Sequence, residues 1–491
     1  MTSKRPPRAT AGTLAVLARL SDTSLYLLIG IAAGLAAVTL SIKAVLLAVG
    51  LTAITALLIL PWGAYYLVLF SIPFWVPIGA GLSVARLALV GGLGLMAFNA
   101  VQSRGPWLVI SRWPDAVIGL AFTFAIGASV IMSESVGESA AEAGSWGIML
   151  LYYFFTLTFV RTPEDLHKVG LFMIGLGLLQ AAVVALQIHV GLVFSVGDIT
   201  HEEEWAAGSA RMPGTTGHST VLAGFLQIPI IYAFAMLTRE RRPLALSAYG
   251  LATAAMVFAW YHTYSRTSLV AFAIMAGVAL MIRYRFVRML AILSMIIAAI
   301  VLASYEFAIY ELVSDAERQF KFMAALTKYS AGLEWAETLR WRLEQWTAGW
   351  RLFLDHIWFG TGPGLAGSKL FPYLPAESRY SEFVIITVHN SFFHVASEVG
   401  IFALVAYTMM WLMGFRWGIV GLGRSETRFQ AQIWLIALSG QLVVNIFNPA
   451  MREPFLVVAL LACIARMAQA TPSQPAVSDA SSTPRYKSNV A

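Results

Sequence analysis

The sequence predicts an all-α, polytopic integral membrane helical bundle, and three observations carry that prediction. The 491 residues are 58% hydrophobic and only 12% charged, with mean hydropathy +0.72, against about 25% charged in soluble domains. Apolar runs separated by short loops recur through most of the chain. The basic residues sit in alternate loops, as the positive-inside rule requires of a chain that crosses a bilayer repeatedly.

The runs fall at 24–41, 44–60, 62–78, 79–101, 115–132, 146–160, 169–190, 220–237, 244–263, 269–282, 289–305, 391–415, 429–447 and 454–467. A hydrocarbon core about 30 Å thick takes roughly 20 helical residues, so about 12–14 transmembrane helices are expected. Pro61, Pro73 and Pro77 make the third run the least regular, because proline removes a helix donor and crowds the preceding turn. Either even count puts both chain ends on one side.

Loop charge sets the orientation. Lys4, Arg5 and Arg8 precede the first run. Arg104 with Arg112, Arg161 with Lys168, and Arg239 with Arg241 and Arg242 mark alternate loops. Arg283, Arg285 and Arg288, then Arg416, Arg424 and Arg428, continue the series. These loops are expected in the cytoplasm. The intervening loops are poor in Lys and Arg: one carries Glu134, Glu138 and Glu142, another Asp198 and Glu202 to Glu204. The expected organisation is a cytoplasmic segment at 1–23 and transmembrane helices with short loops over 24–305. A long loop on the opposite face follows at 306–390, then C-terminal transmembrane helices at 391–467. A Ser/Pro-rich tail at 468–491 is expected to be cytoplasmic and disordered. No cleavable signal peptide is visible, so the first span is expected to serve as an uncleaved signal. The lone Cys463 excludes an internal disulfide framework. The net charge of +7 resides in inter-span loops, which fits membrane topology and not a nucleic-acid footprint.

The 306–390 loop is the one long polar stretch, and loops beyond about 12–15 residues are usually functional or disordered. Trp335, Trp341, Trp346, Trp350 and Trp358 lie in it, which argues for order. It leads into His389-Asn390-Ser391 at the mouth of the next run, and an imidazole with a reference pKa of about 6.5 suits base chemistry near neutral pH. The competing reading is an interfacial histidine that bonds a helix end. His394 lies about 140° round a helix from His389 and reads as structural. Glu398, deeper still, must be paired or functional, since a lone carboxylate there is costly.

Three arginine positions share the outer side. Arg211-Met212-Pro213-Gly214-Thr215 is a Pro/Gly corner opening a span, and a guanidinium there suits an anion because it stays ionised and binds bidentately. Arg266 sits in the tight outer hairpin Thr263–Ser268, against the topological trend. Arg340 and Arg342 flank Trp341, and Trp346, Trp350 and Phe353 follow at i, i+4, i+7, the spacing of an amphipathic helix lying in the interface. Plain alternatives are a snorkelling arginine and a surface helix. Gly360-Thr361-Gly362-Pro363-Gly364 reads as a turn, since a phosphate loop would end Gly-Lys-Ser/Thr after a strand. His201-Glu202-Glu203-Glu204 lacks metal-ligand spacing and reads as a solvated acidic loop; no metal or other cofactor is expected.

These residues resemble the O-antigen ligase and Wzy-type O-antigen polymerase superfamily. The resemblance rests on Arg211-x-x-Gly214-Thr215, Ser265-Arg266, Arg340-x-x-Leu343-x-x-Trp346, the Gly360–Gly364 turn, His389-Asn390-Ser391-Phe392 and Glu398-Val399-Gly400, in order over about 205–415. Gly217-His218-Ser219 departs from the Asn-Pro-Asn more usual after the arginine corner, which leaves ligase against polymerase open. The resemblance implies a GT-C-like fold in the bacterial inner membrane, with amphipathic helices in one long periplasmic loop. It implies transfer of a glycan from undecaprenyl pyrophosphate at the periplasmic face. The acceptor would be lipid A–core for a ligase, or a second lipid-linked glycan for a polymerase. By the same resemblance His389 is the general base, Arg211, Arg266 and Arg340 bind the pyrophosphate, and Asn390 and Glu398 support them. The expected partners are those two substrates and membrane lipids, with no nucleic acid. A lipid-linked oligosaccharide transporter is the rival, but transporters gather ionisable groups at the midplane and show repeated halves. Here the distinctive residues collect at one surface. A polysaccharide-binding scaffold without activity is a further alternative.

Overall fold

The computed structural model describes residues 62–74, 77–79, 82–83, 90–97, 115–160, 162–190, 211–291, 293–294, 334–374 and 388–447. The expected spans before residue 62 and after 447, the segments 1–23 and 468–491, and loop residues 306–333 and 375–387 lie outside these.

The architecture is a helical bundle. Among the described residues its helices include α1 (Gly63–Ser71), α2 (Asp115–Met132), α3 (Val136–Phe159), α4 (Pro163–Val190), α5 (Ser219–Arg239), α6 (Pro243–Tyr261), α7 (Arg266–Arg283), α8 (Glu334–Asp355), α9 (Ala366–Leu370), α10 (Ser391–Val399), α11 (Ile401–Leu422) and α12 (Arg428–Phe447). Among the described residues, α4, α5, α6, α7, α11 and α12 are long and apolar enough to cross a membrane. A two-stranded antiparallel hairpin, Pro77–Gly79 with Leu82–Ser83, interrupts the helices.

Three expected spans differ, the 79–101 run among them because the hairpin strands take Gly79 and Leu82–Ser83. The 62–78 run is no continuous helix: α1 stops at Ser71 and the hairpin follows, where Pro73 and Pro77 deny the chain further helix donors. The 391–415 run is two helices. Gly400 takes φ +86 between α10 and α11, a left-handed backbone that ends one helix and lets the next start at a new angle. Only α11 is a span, and α10 is a short helix packed at its outer end.

The bundle is bound by close packing and a few buried polar bonds, the usual glue between helices where lipid offers no hydrophobic drive. The Gln441 amide donates to the Gly224 carbonyl at 2.7 Å, Asn445 donates to the Gln441 carbonyl at 2.8 Å, and the Tyr407 hydroxyl donates to Asn445 at 3.0 Å. These bonds join α5, α11 and α12. At the far end of α5 the Arg239 guanidinium lies 4.2 Å from the Phe429 ring centroid. That far end gathers Lys168, Arg239, Arg241, Arg242, Arg283, Arg285, Arg288, Arg424 and Arg428. The opposite end holds the Arg211 corner, the α6–α7 hairpin, α8 and His389. The rings of Trp346 and Phe447, 5.7 Å apart, bring α8 to the end of α12 there.

Candidate functional site

The Arg211 corner is held from below by α4. Gly214 takes φ +60, and a Cβ there would stand 2.6 Å from Gln180 Oε1, so only glycine fits this close approach. Gln187 grips Gly214 twice, accepting from its N–H at 3.0 Å and donating to its carbonyl at 3.1 Å. Gln180 repeats this at Thr215, accepting from the N–H at 3.0 Å and donating to Oγ1 at 2.6 Å, while that hydroxyl donates to Pro73 O at 2.7 Å. Both amides are buried. They satisfy the backbone of an irregular segment, as non-helical backbone at the edge of a membrane bundle requires. His218 then caps α5, its Nδ1 accepting from Thr220 N at 3.2 Å.

One backbone bond carries the corner to the next element. The Met212 N–H donates to the His262 carbonyl at 3.0 Å, tying it to the α6–α7 hairpin. In that hairpin Ser265 caps α7 by accepting from Ser268 N, which makes the exposed Arg266 the first residue of α7. Thr267, next to it, accepts from Arg342 Nη1 of α8 at 3.3 Å.

α8 is amphipathic. Its inner face, with Ala348 and Leu352, packs on Leu370 and Val388, and its outer face exposes Leu343, Trp350 and Leu354. The inner face fixes His389: Trp346 Nε1 donates to the His389 carbonyl at 2.7 Å. Asn390, next in the chain, caps α10, its Oδ1 accepting from Phe392 N at 2.9 Å and Phe393 N at 3.1 Å. His389 therefore stands one residue ahead of a helix N-terminus, where the partial positive charge disfavours a cation. Burial, with the Arg342 guanidinium and then His218 and His394 adding to it, pushes the His389 imidazole down to about 4. Arg342 is itself lowered by burial and by Arg211. Arg342 is thus within electrostatic reach of both Arg211 and His389, and His218 within reach of His389.

Glu398 has different work. It is buried and pairs with His394, Oε2 to Nε2, at 3.3 Å, and the His394 ring stacks on Trp146 at 6.4 Å between centroids. The Gly360–Gly364 segment, a turn, docks on the same stretch. Thr361 N donates to Ser397 O and Gly362 N to Glu398 O, each at 2.9 Å, and Ser129 Oγ donates to Glu398 O at 2.9 Å. The His-Asn block and the Glu-x-Gly tail are thus one clamp holding α10 in place.

Of the residues singled out in the sequence, Arg211 and His389 each lie within electrostatic reach of Arg342, Arg266 stands at the hairpin bonded to the Arg211 corner and to Arg342, and Asn390 and Glu398 shape the helix behind His389. Arg340 lies on α8, and its side chain lies outside the described residues. Arg342 was passed over as a site residue, yet it is the guanidinium that bridges α8, the hairpin and His389. Gln180 and Gln187 were passed over too. Two glutamines seven residues apart in an otherwise apolar run put two amides on one helix face, a signal readable in the sequence. No group of three or more His, Cys, Asp or Glu side chains suited to a metal occurs among the described residues.

A multi-pass helical membrane protein with arginines and a histidine gathered at one end is the class that fold and site define. Residues 251–408 match the family model described as O-antigen ligase, and this segment runs from α6 through the hairpin, α8 and His389 into α11. That match supports the O-antigen ligase and Wzy superfamily as the one this segment resembles. No curated protein matches the chain.

Proposed function

We propose that this protein transfers a glycan from undecaprenyl pyrophosphate to an acceptor sugar hydroxyl at the periplasmic face of the inner membrane, as an O-antigen ligase with lipid A–core as acceptor. The observation that carries this reading is Arg342, bonded to Thr267 of the hairpin and within electrostatic reach of both Arg211 and His389, at the end of the bundle opposite the basic loops. The positive-inside rule makes that end periplasmic.

The chemistry suits these groups. The acceptor oxygen attacks the anomeric carbon, and its proton passes to the neutral His389 imidazole. The bond from the anomeric carbon to the phosphate oxygen breaks, and its electron pair leaves with the pyrophosphate. That leaving group needs stabilisation of charge more than a proton, and guanidinium groups in a water-poor site supply it. Attack opposite the leaving group inverts the anomeric centre.

The depressed basicity of His389 suggests an order of binding. With the site empty, burial first and then the surrounding positive charge keep the imidazole neutral but weak as a base. A bound pyrophosphate offsets that charge and raises the imidazole toward its ordinary value, where it accepts a proton more readily. The base is thus strengthened by the donor it serves.

The test supplies purified protein in lipid nanodiscs with a polyprenyl-pyrophosphate glycan and either lipid A–core or a second lipid-linked repeat unit. One glycan joined to lipid A–core supports the ligase reading. A ladder of lengthened repeat units assigns a polymerase instead. No transfer to either acceptor, or retained anomeric configuration, overturns the single-displacement reading.

A further inference from the structure

Tyr264 is the one described residue other than glycine with a positive φ, at +48. It follows the last turn of α6, where its N–H donates to the Tyr261 carbonyl at 3.1 Å. This left-handed position after a helix normally goes to glycine, because a Cβ crowds the neighbouring carbonyl there. The side chain held at this cost is not buried. Tyr264 is 47% exposed and Tyr261 is 60% exposed. Strained backbone that presents an uncovered side chain is a mark of function and not of packing.

The two rings form one surface. Their centroids lie 5.7 Å apart, and the His262 ring stands edge-on to both, at 5.4 Å from Tyr261 and 6.2 Å from Tyr264. The surface is fixed to the cationic site by short paths: the His262 carbonyl receives the Met212 N–H next to Arg211, Arg266 is two residues beyond Tyr264, and Thr267 is bonded to Arg342. A glycan on a polyprenyl pyrophosphate has its first sugar bonded directly to the phosphate. Wherever the phosphates meet the arginines, that sugar ring lies within a few bond lengths of them. The C–H face of a pyranose is apolar, carries slight positive charge, and suits the negative face of an aromatic ring.

We infer that Tyr261 and Tyr264 form a stacking platform for the sugar ring next to the pyrophosphate of a lipid-linked glycan. The inference rests on the proposed donor and adds a subsite that recognises sugar apart from phosphate. The strain at Tyr264 maintains the platform: glycine would relax the backbone and lose the ring.

The test compares two probes on the full-length protein in nanodiscs, undecaprenyl pyrophosphate bearing a glycan and undecaprenyl pyrophosphate bearing none. Tyr264→Gly and Tyr261→Ala are expected to weaken binding of the glycan-bearing lipid about tenfold, the scale of one lost stacking contact, and to leave the bare lipid unchanged. Tyr264→Phe keeps the ring and stays near wild type. The thermal midpoint of Tyr264→Gly is expected to equal or exceed that of wild type, which separates lost recognition from lost fold. Equal weakening toward both lipids assigns the rings to the bilayer interface or the phosphates and overturns the platform, as does no weakening toward either. A wild-type protein that binds neither lipid overturns the donor assignment itself.

Discussion

Two histidines five residues apart show how environment divides one chemical group between two tasks. His389 lies before the cap of α10, with its carbonyl pinned by Trp346 and its ring near Arg342 and His218. His394 lies inside α10, paired with Glu398 and stacked on Trp146. The first faces positive charge. The second faces a carboxylate already supplied by the protein. A histidine set among cationic neighbours suits chemistry with an anionic ligand, whereas one held against a buried carboxylate is committed to holding the fold.

The largest effect should come from breaking the member of the pair that lies among cationic groups. His389→Ala is expected to cut turnover by about 10²–10⁴, the usual weight of a general base, with donor affinity kept; single-turnover transfer with labelled glycan measures it. Wild-type turnover would remove His389 from the chemistry. Arg342→Gln comes next, with a loss of about 10²-fold in kcat/KM, the scale of one removed donor to a developing anion. His394→Gln and Glu398→Gln are expected to reverse this pattern: a lower thermal midpoint, as follows when a buried pair is broken, and transfer within a few-fold of wild type in the fraction that stays folded. Transfer abolished without loss of stability would erase the division of labour between the two histidines.

The smaller effects lie in the pH profile. His389 is depressed, so it is neutral above about 4. As pH falls through that value it takes up a proton and stops serving as a base. The acid limb of kcat/KM, which reports the free enzyme, is therefore expected near 4, well below the ordinary histidine range. The acid limb of kcat, which reports the donor complex, is expected higher, because the bound pyrophosphate favours the imidazolium. Arg342→Gln should raise the free-enzyme limb by removing one of the positive charges that depress it. A kcat limb at or below that of kcat/KM would break the proposed link between donor binding and base strength.

Much of the fold was legible because the bilayer imposes it: apolar runs such as 169–190, 220–237 and 429–447 return as α4, α5 and α12. The misses fall where the chain leaves that regime. Residues 391–415 read as one mostly apolar run, so hydropathy passed over the break at Gly400, which depends on a backbone angle and not on polarity. The site was legible as residue types in loops on one side, including His389, Arg211 and Arg266. Choosing among neighbouring arginines was not. Arg340 and Arg342 are about 200° apart on a helix, and only the packing of α8 on Val388 and Leu370 determines which of its faces meets the hairpin.

The sequence by itself determined that this chain lives in a membrane and which loops gather the unusual charges. Each of these follows from transfer free energies summed locally along the chain. The tertiary structure alone decided that Gln180 and Gln187 brace the Arg211 corner, that Arg342 reaches the hairpin beside His389, and that Glu398 serves His394. Those pairings join residues that no local sum connects, since they depend on the distances and angles at which packed helices meet.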